Sequence, residues 1–183
     1  MSTSFWIDEH TTLRLNKTLA SNEEIQEAVR SLPEDLIQRI QILIFDGALL
    51  LQQLPNISNF CHLQKLSLRK CHDLTHLGGL PHTLKTLDLS YCIQLCDLPD
   101  LSSLSIERLA LEGDNEIESI NLASTRIKEL NIRGLRISSL PILPSTIERL
   151  YLGKTHISAS QVQHLSSRIH VDWSDPDSSR ANW

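Results

Sequence analysis

Five segments of the chain carry one spacing of apolar residues. They are "LQKLSLRKCHDLTHL" from Leu63, "LKTLDLSYCIQLCDL" from Leu84, "IERLALEGDNEIESI" from Ile106, "IKELNIRGLRISSL" from Ile127 and "IERLYLGKTHI" from Ile147. Their starts lie 21, 22, 21 and 20 residues apart. Inside each segment the apolar residues step by three and then by two, as in Leu84, Leu87 and Leu89. Amphipathic helices also place apolar residues three and four apart, but they do not repeat a three-then-two step with prolines between units. The x-L-x-L-x stretch is a short strand whose two leucines point to one side. Upstream, Ile40, Leu43, Phe45, Ala48, Leu51, Leu54 and Ile57 keep the offsets of Leu63, Leu66, Leu68, Cys71, Leu74, Leu77 and Leu80.

A period of about 20–29 residues with the pattern L-x-x-L-x-L-x-x-N/C-x-L marks the leucine-rich repeat. The expected fold is an α/β solenoid with about seven parallel strands on a concave face, running from Leu13 to Val171. It forms one domain over 1–183: a helix-backed N-terminal unit at 10–39, short repeats at 40–165 and a C-terminal cap at 166–183. In the first unit Ser21 and Glu24 read as a capping box, and Ile25, Ala28, Val29 and Leu32 as one helical face. Pro33 can start a second helical turn. The middle units are too short for a full convex helix, so their backs are expected to be extended or 3₁₀. "SASQVQHLSSR" can regain a helical turn, and "SRIHVDW" sets Ile169 and Val171 opposite Leu150 and Leu152. Cys71 and Cys92 occupy the Asn/Cys position, filling as small apolar groups the place where an asparagine would bond neighbouring turns.

Composition narrows the function. The chain of 183 residues is 40% hydrophobic but only 4% aromatic, so its core is built from Leu and Ile. A net charge of -5 offers no global basic field for nucleic acid. No apolar run reaches the roughly 20 residues of a membrane span. The opening "MSTSFWIDEHTTLRL" lacks the basic and apolar regions of a signal peptide, which predicts a cytosolic site of folding with reduced thiols and leaves export to a machinery that reads other signals. Cys61, His62, Cys71, His72, His76, Cys92 and Cys96 lie within two repeats. They contain no C-x-x-C pair, so no metal site is expected. No nucleophile motif and no glycine-rich phosphate loop occurs, so the reading is of no catalytic residues, no cofactor and no enzyme.

The stretches "LPHTLKTLDLS" and "LPSTIERLYLG" carry a resemblance. The chain resembles the leucine-rich-repeat proteins that pathogenic bacteria, Legionella among them, deliver into host cells, whose short repeats begin after L-P-x-x-[LI]. The resemblance covers roughly residues 10–173. The first unit, "LRLNKTLASNEEIQEAVRSLPEDL", is similar instead to the long helix-backed repeats of ribonuclease-inhibitor type. The chain departs from both patterns at position nine, where Cys71, Cys92, Asp114, Leu135 and Thr155 replace asparagine. The resemblance implies a secreted virulence protein that acts, once in the host cytoplasm, as a binding module.

Equivalent strand positions form columns on the concave face. One column reads Lys65, Thr86, Arg108, Glu129, Arg149, Arg168; the next reads Ser67, Asp88, Ala110, Asn131, Tyr151, His170. A third reads Arg69, Ser90, Glu112, Arg133, Gly153, Asp172, and a fourth Lys70, Tyr91, Gly113, Gly134, Lys154, Trp173. Lys65, Arg69, Asp88, Tyr91, Arg108, Glu129, Arg133, Arg149, Tyr151, Lys154, Arg168, His170 and Trp173 are the expected partner-binding residues. Tyr, Trp and Arg gather in the C-terminal third, and these types are enriched at binding hot spots. The competing reading is internal pairing, with Glu129 between Arg108 and Arg149 and Glu112 beside Arg133. The function expected is a monomeric, non-enzymatic module that binds, and in a sharper version inhibits, a host protein or another effector. The alternative is an adaptor that recruits substrates to a ubiquitin ligase. Neither nucleic acid nor membrane is an expected partner.

Overall fold

In the computed structural model the described residues are 5–7, 11–15, 20–113, 117 and 120–175. They form a single nine-stranded sheet in sequence order. Its strands are β1 (Phe5–Ile7), β2 (Thr12–Leu15), β3 (Ile42–Ile44), β4 (Lys65–Ser67), β5 (Thr86–Asp88), β6 (Arg108–Ala110), β7 (Glu129–Asn131), β8 (Arg149–Tyr151) and β9 (His170–Asp172). From β2 onward every neighbouring pair is parallel. The chain is therefore a leucine-rich-repeat solenoid with eight parallel strands, one more than the repeat count suggested. β1 adds a ninth, antiparallel to β2. No repeat announces β1: its Phe5 ring stands edge-on to Phe45, centroids 6.2 Å apart, and covers the core at its first coil.

The three-then-two spacing builds the core as expected. Leu43, Leu66, Leu87, Leu109, Leu130 and Leu150 are in register and fully buried. Phe45, Leu68, Leu89, Leu111, Ile132 and Leu152 form a second buried row. Each coil from β3 to β8 leaves its strand through a residue with positive φ: Gly47, Lys70, Tyr91, Gly113, Gly134 and Lys154. That conformation turns the chain sharply enough for the same residue's N–H to reach the next coil, as in Lys70 N–H to Ser90 O at 2.9 Å and Gly134 N–H to Gly153 O at 2.8 Å.

Local signals explain the connections. The capping box at Ser21 and Glu24 is formed and starts α1 (Asn22–Arg30), which buries Ile25 and Val29. Pro33 caps α2 (Glu34–Ile37), and α3 (Ala159–Val162) follows Ser158. Between them the convex side consists of extended segments and turns, without the 3₁₀ helix that was one of the two expectations there among the described residues. The threonine of each "LPxT" segment has a structural use. Thr83 Oγ1 donates to Leu63 O and Thr146 Oγ1 to Ile127 O, both at 2.8 Å, tying the entry of one coil to that of the preceding one.

Cys71 and Cys92 are buried, and they do more than fill space. Each thiol donates to a carbonyl of the preceding coil, Cys71 to Phe45 O at 3.3 Å and Cys92 to Leu68 O at 3.0 Å. They thus take over part of the inter-coil bonding expected only of an asparagine. Burial pushes both thiols far up, Cys92 to about 12. Asp114 of the same repeat position lies outside the described residues.

Candidate protein-binding face

The strand register places Lys65, Thr86, Arg108, Glu129 and Arg149 in one column and Ser67, Asp88, Ala110, Asn131 and Tyr151 in the next, as read from the repeat. At the last strand the expectation fails by two residues. Leu150 pairs with Val171, not Ile169, so His170 joins Arg149 and Asp172 joins Tyr151. A two-residue slip keeps every side chain on its own face, so apolar alternation cannot distinguish the registers. The bond from His170 N–H to Glu148 O at 2.8 Å fixes the observed one. Arg168 accordingly sits before β9 rather than beside Arg149. Trp173 takes the place of Leu152 in the inward row, 42% exposed at the last coil, and does not line the concave face.

The middle of the concave face is sealed by its own polar groups. Asp88 is buried, and the guanidinium of Arg69 reaches it at 3.2 Å. Its other oxygen accepts from Ser90 N–H at 3.0 Å. Asp46 accepts from Ser67 Oγ at 2.6 Å and from Arg69 N–H at 3.0 Å. Tyr91 lies across Gly113, where an added Cβ would meet its ring at 2.7 Å, and its hydroxyl donates to Glu112 at 2.7 Å. Asn131 Nδ2 donates to the second oxygen of Glu112 at 2.8 Å.

Arg133 corrects the expected pairing with Glu112. Its guanidinium stacks 4.6 Å from the Tyr151 ring centroid and continues past it to Asp172 at 2.9 Å and Ser174 Oγ at 2.6 Å. Burial raises the Asp172 carboxyl, but hydrogen bonds from Ser174 and the Arg133 guanidinium outweigh this and hold it below its usual range. Beneath that contact, the carbonyl of Ser174 stands 1.8 Å from where a Cβ on Gly153 would lie, so the last coil closes only over a glycine. The Arg108–Glu129–Arg149 pairing is formed as expected, with both arginines on the one carboxylate.

The expected binding residues therefore separate into two groups. Arg69, Asp88, Glu129 and Arg133 are largely buried and hold neighbouring coils together. Arg108, Arg149, Lys154, Arg168 and His170 keep substantial exposure, with Lys65, Tyr91 and Tyr151 half-buried. The more exposed part of the C-terminal end is Arg149 and His170 on the concave side, with the half-buried Tyr151 between Arg133 and the surface. At the other end the face begins with residues not singled out from sequence. Trp6 pairs with Arg14, and Ile42 and Ile44 stand in register ahead of Lys65 and Ser67. Their signal was available in the "FWI" at 5–7 and the offset from Leu66 back to Leu43.

Among the described residues no three His, Cys, Asp or Glu side chains are placed to hold a metal ion. The clustered cysteines disperse, Cys71 and Cys92 into the core and Cys61 and Cys96 onto the surface. No helix among the described residues is long and apolar enough to cross a membrane.

Strand order, register and the inward rows define a leucine-rich-repeat solenoid that displays a parallel sheet. It is similar to plant disease resistance proteins. The chain is 27% identical over 151 residues to disease resistance protein RML1A of Arabidopsis thaliana, matching 78% of this chain and 15% of that protein. It is 32% identical over 113 residues to disease resistance protein RPS4B of the same plant, matching 59% of this chain and 10% of that one. With disease resistance protein RRS1 it shares 27% identity over 157 residues, 75% of this chain and 11% of that one. The chain thus spans no more than 15% of the length of these relatives. No protein-family model matches the sequence. The similarities support a protein-interaction solenoid.

Proposed function

We propose that the chain is a non-enzymatic module that captures a partner protein on its concave face and acts as a bacterial effector. The carrying observation is the division of that face. Its centre is closed by buried internal bonds, while Arg149, paired with Glu129, and His170 at the C-terminal end keep substantial exposure that a partner can cover. An arc that grips a protein in this way can cover its working surface, and inhibition of that protein is the sharper form of the proposal. The effector reading rests on the "LPHTLKTLDLS" and "LPSTIERLYLG" repeats. An adaptor for a ubiquitin ligase is the alternative within that reading.

The similarity to disease resistance proteins favours a second reading, in which the same face serves recognition within a disease-resistance protein. One affinity capture on the purified chain, read by mass spectrometry and followed by an activity assay of whatever enzyme is retained, separates these readings. Catalytic loss in the captured enzyme favours inhibition, and ligase subunits favour the adaptor. Capture of a pathogen protein from an infected plant extract favours recognition. Retention that survives both Arg149→Ala and His170→Ala but is abolished by a convex change such as Glu27→Ala removes the concave-face proposal.

A further inference from the structure

The N-terminal end of the concave face differs from the rest in one respect. Each concave arginine from β4 to β8 has a carboxylate of its own chain: Arg69 has Asp88, Arg108 and Arg149 share Glu129, and Arg133 has Asp172. Arg14 on β2 is exposed, and no carboxylate among the described residues pairs with it. Its cross-strand partners are apolar, and Asp46, two residues beyond Ile44, is already taken up by Ser67 Oγ and Arg69 N–H. Trp6, 56% exposed, is its register partner on β1, and Ile44 is its partner on β3. Ile42 stands two residues from Ile44 on the same face. With strands about 4.8 Å apart, Trp6, Arg14 and Ile44 fall within a row of roughly 10 Å. Leu13 and Leu15 on either side of Arg14 are buried, which fixes Arg14 and Trp6 on the concave side.

We infer that this end is a second docking site, and that it takes a protein segment presenting a carboxylate beside an apolar side chain. The carboxylate completes the pair that every other concave arginine already has. The apolar group lies against the Trp6 ring and Ile44, over the Arg14 stem, where it removes exposed carbon from water. The inference rests on the protein-binding reading and deepens it by naming the chemistry of one anchor. β2 and β9 are seven strands apart, roughly 34 Å, so a partner that engages both ends is a folded domain rather than a short peptide.

The test uses the full chain labelled with nitrogen-15 and two capped peptides, N-acetyl-Glu-Phe-Glu-Leu-amide and N-acetyl-Gln-Phe-Gln-Leu-amide. The acidic peptide is expected to shift the Trp6 indole signal and the amides of Arg14, Ile42 and Ile44. The neutral peptide is expected to bind about two- to fivefold more weakly, the range for an exposed ion pair. Arg14→Gln is expected to erase that preference while leaving the melting temperature unchanged, and Trp6→Ala to weaken both peptides. Equal binding of the two peptides, or no shift at these residues, overturns the inference. Shifts confined to Arg149 and His170 overturn it too, yet leave the concave-face reading standing; shifts confined to the convex side remove both.

Discussion

At position nine of the repeat, a thiol in place of an asparagine changes how the coil responds to pH. The unfolded thiol of Cys92 titrates near its ordinary 9.0 and the folded one near 12. The raised value means that its contribution is fully present below pH 9 and is lost as pH rises toward 12. The expected slope is up to about 1.4 kcal/mol per pH unit for each buried thiol. Urea midpoints compared at about pH 8 and about pH 10.5 should fall, and the fall should be smaller in Cys92→Ala. In a thiol-reagent assay Cys61 and Cys96 should react in the native protein, and Cys71 and Cys92 only after unfolding. Leu109 is fully buried in the inward row, so Leu109→Ala should cost about 2–5 kcal/mol in a denaturant titration. Lys154 is a lysine at φ 60. Lys154→Gly relieves the left-handed strain, of about 1–2 kcal/mol, and should raise the melting temperature despite the extra freedom it gives the unfolded chain.

The coil is the element of this structure, and what joins one coil to the next was only partly legible. The inward rows were readable because burial imposes them residue by residue, so Leu43 through Leu150 follow from spacing alone. The register of β9 was not, because Ile169 and Val171 are both apolar, β-branched and on the same side. β1 was not, because three residues without a repeat carry no period. The polar bonds were half visible. A column lists neighbours, so Glu129 between two arginines could be expected, but it does not say how far a side chain reaches. Arg133 turns away from Glu112 and crosses Tyr151 to end on Asp172, two strands away. Such contacts make the concave centre part of the scaffold. Asp88→Ala would leave the Arg69 guanidinium buried without its partner, and should cost about 3–5 kcal/mol by denaturant titration. Arg69→Met combined with Asp88→Ala should recover part of that loss, since no buried charge then remains.

Over the whole molecule, coils that lean mainly on their neighbours form an arc whose two ends differ in chemistry from its middle. Among the described residues the C-terminal end is basic with Tyr151 beside it, the N-terminal end sets Trp6, Ile42 and Ile44 around Arg14, and the centre is closed. The candidate face was legible in its columns from β4 to β8, whereas the register of β9 displaced Arg168 and Trp173 from theirs. Its division into scaffold and open anchors was not, because burial of Asp88 and Asn131 depends on side chains from adjacent coils that a single repeat does not show. The central claim is that the open ends bind while the sealed middle folds. The most direct test measures affinity for a captured partner and melting temperature on the same three proteins: Arg149→Ala, His170→Ala and Asp88→Ala. Arg149→Ala and His170→Ala should weaken binding, by about 2 kcal/mol for a true anchor, with little change in melting temperature. Asp88→Ala should lower the melting temperature, and below that temperature the partner should still bind. Undiminished binding in both Arg149→Ala and His170→Ala, together with loss of binding in a still-folded Asp88→Ala, would contradict the account.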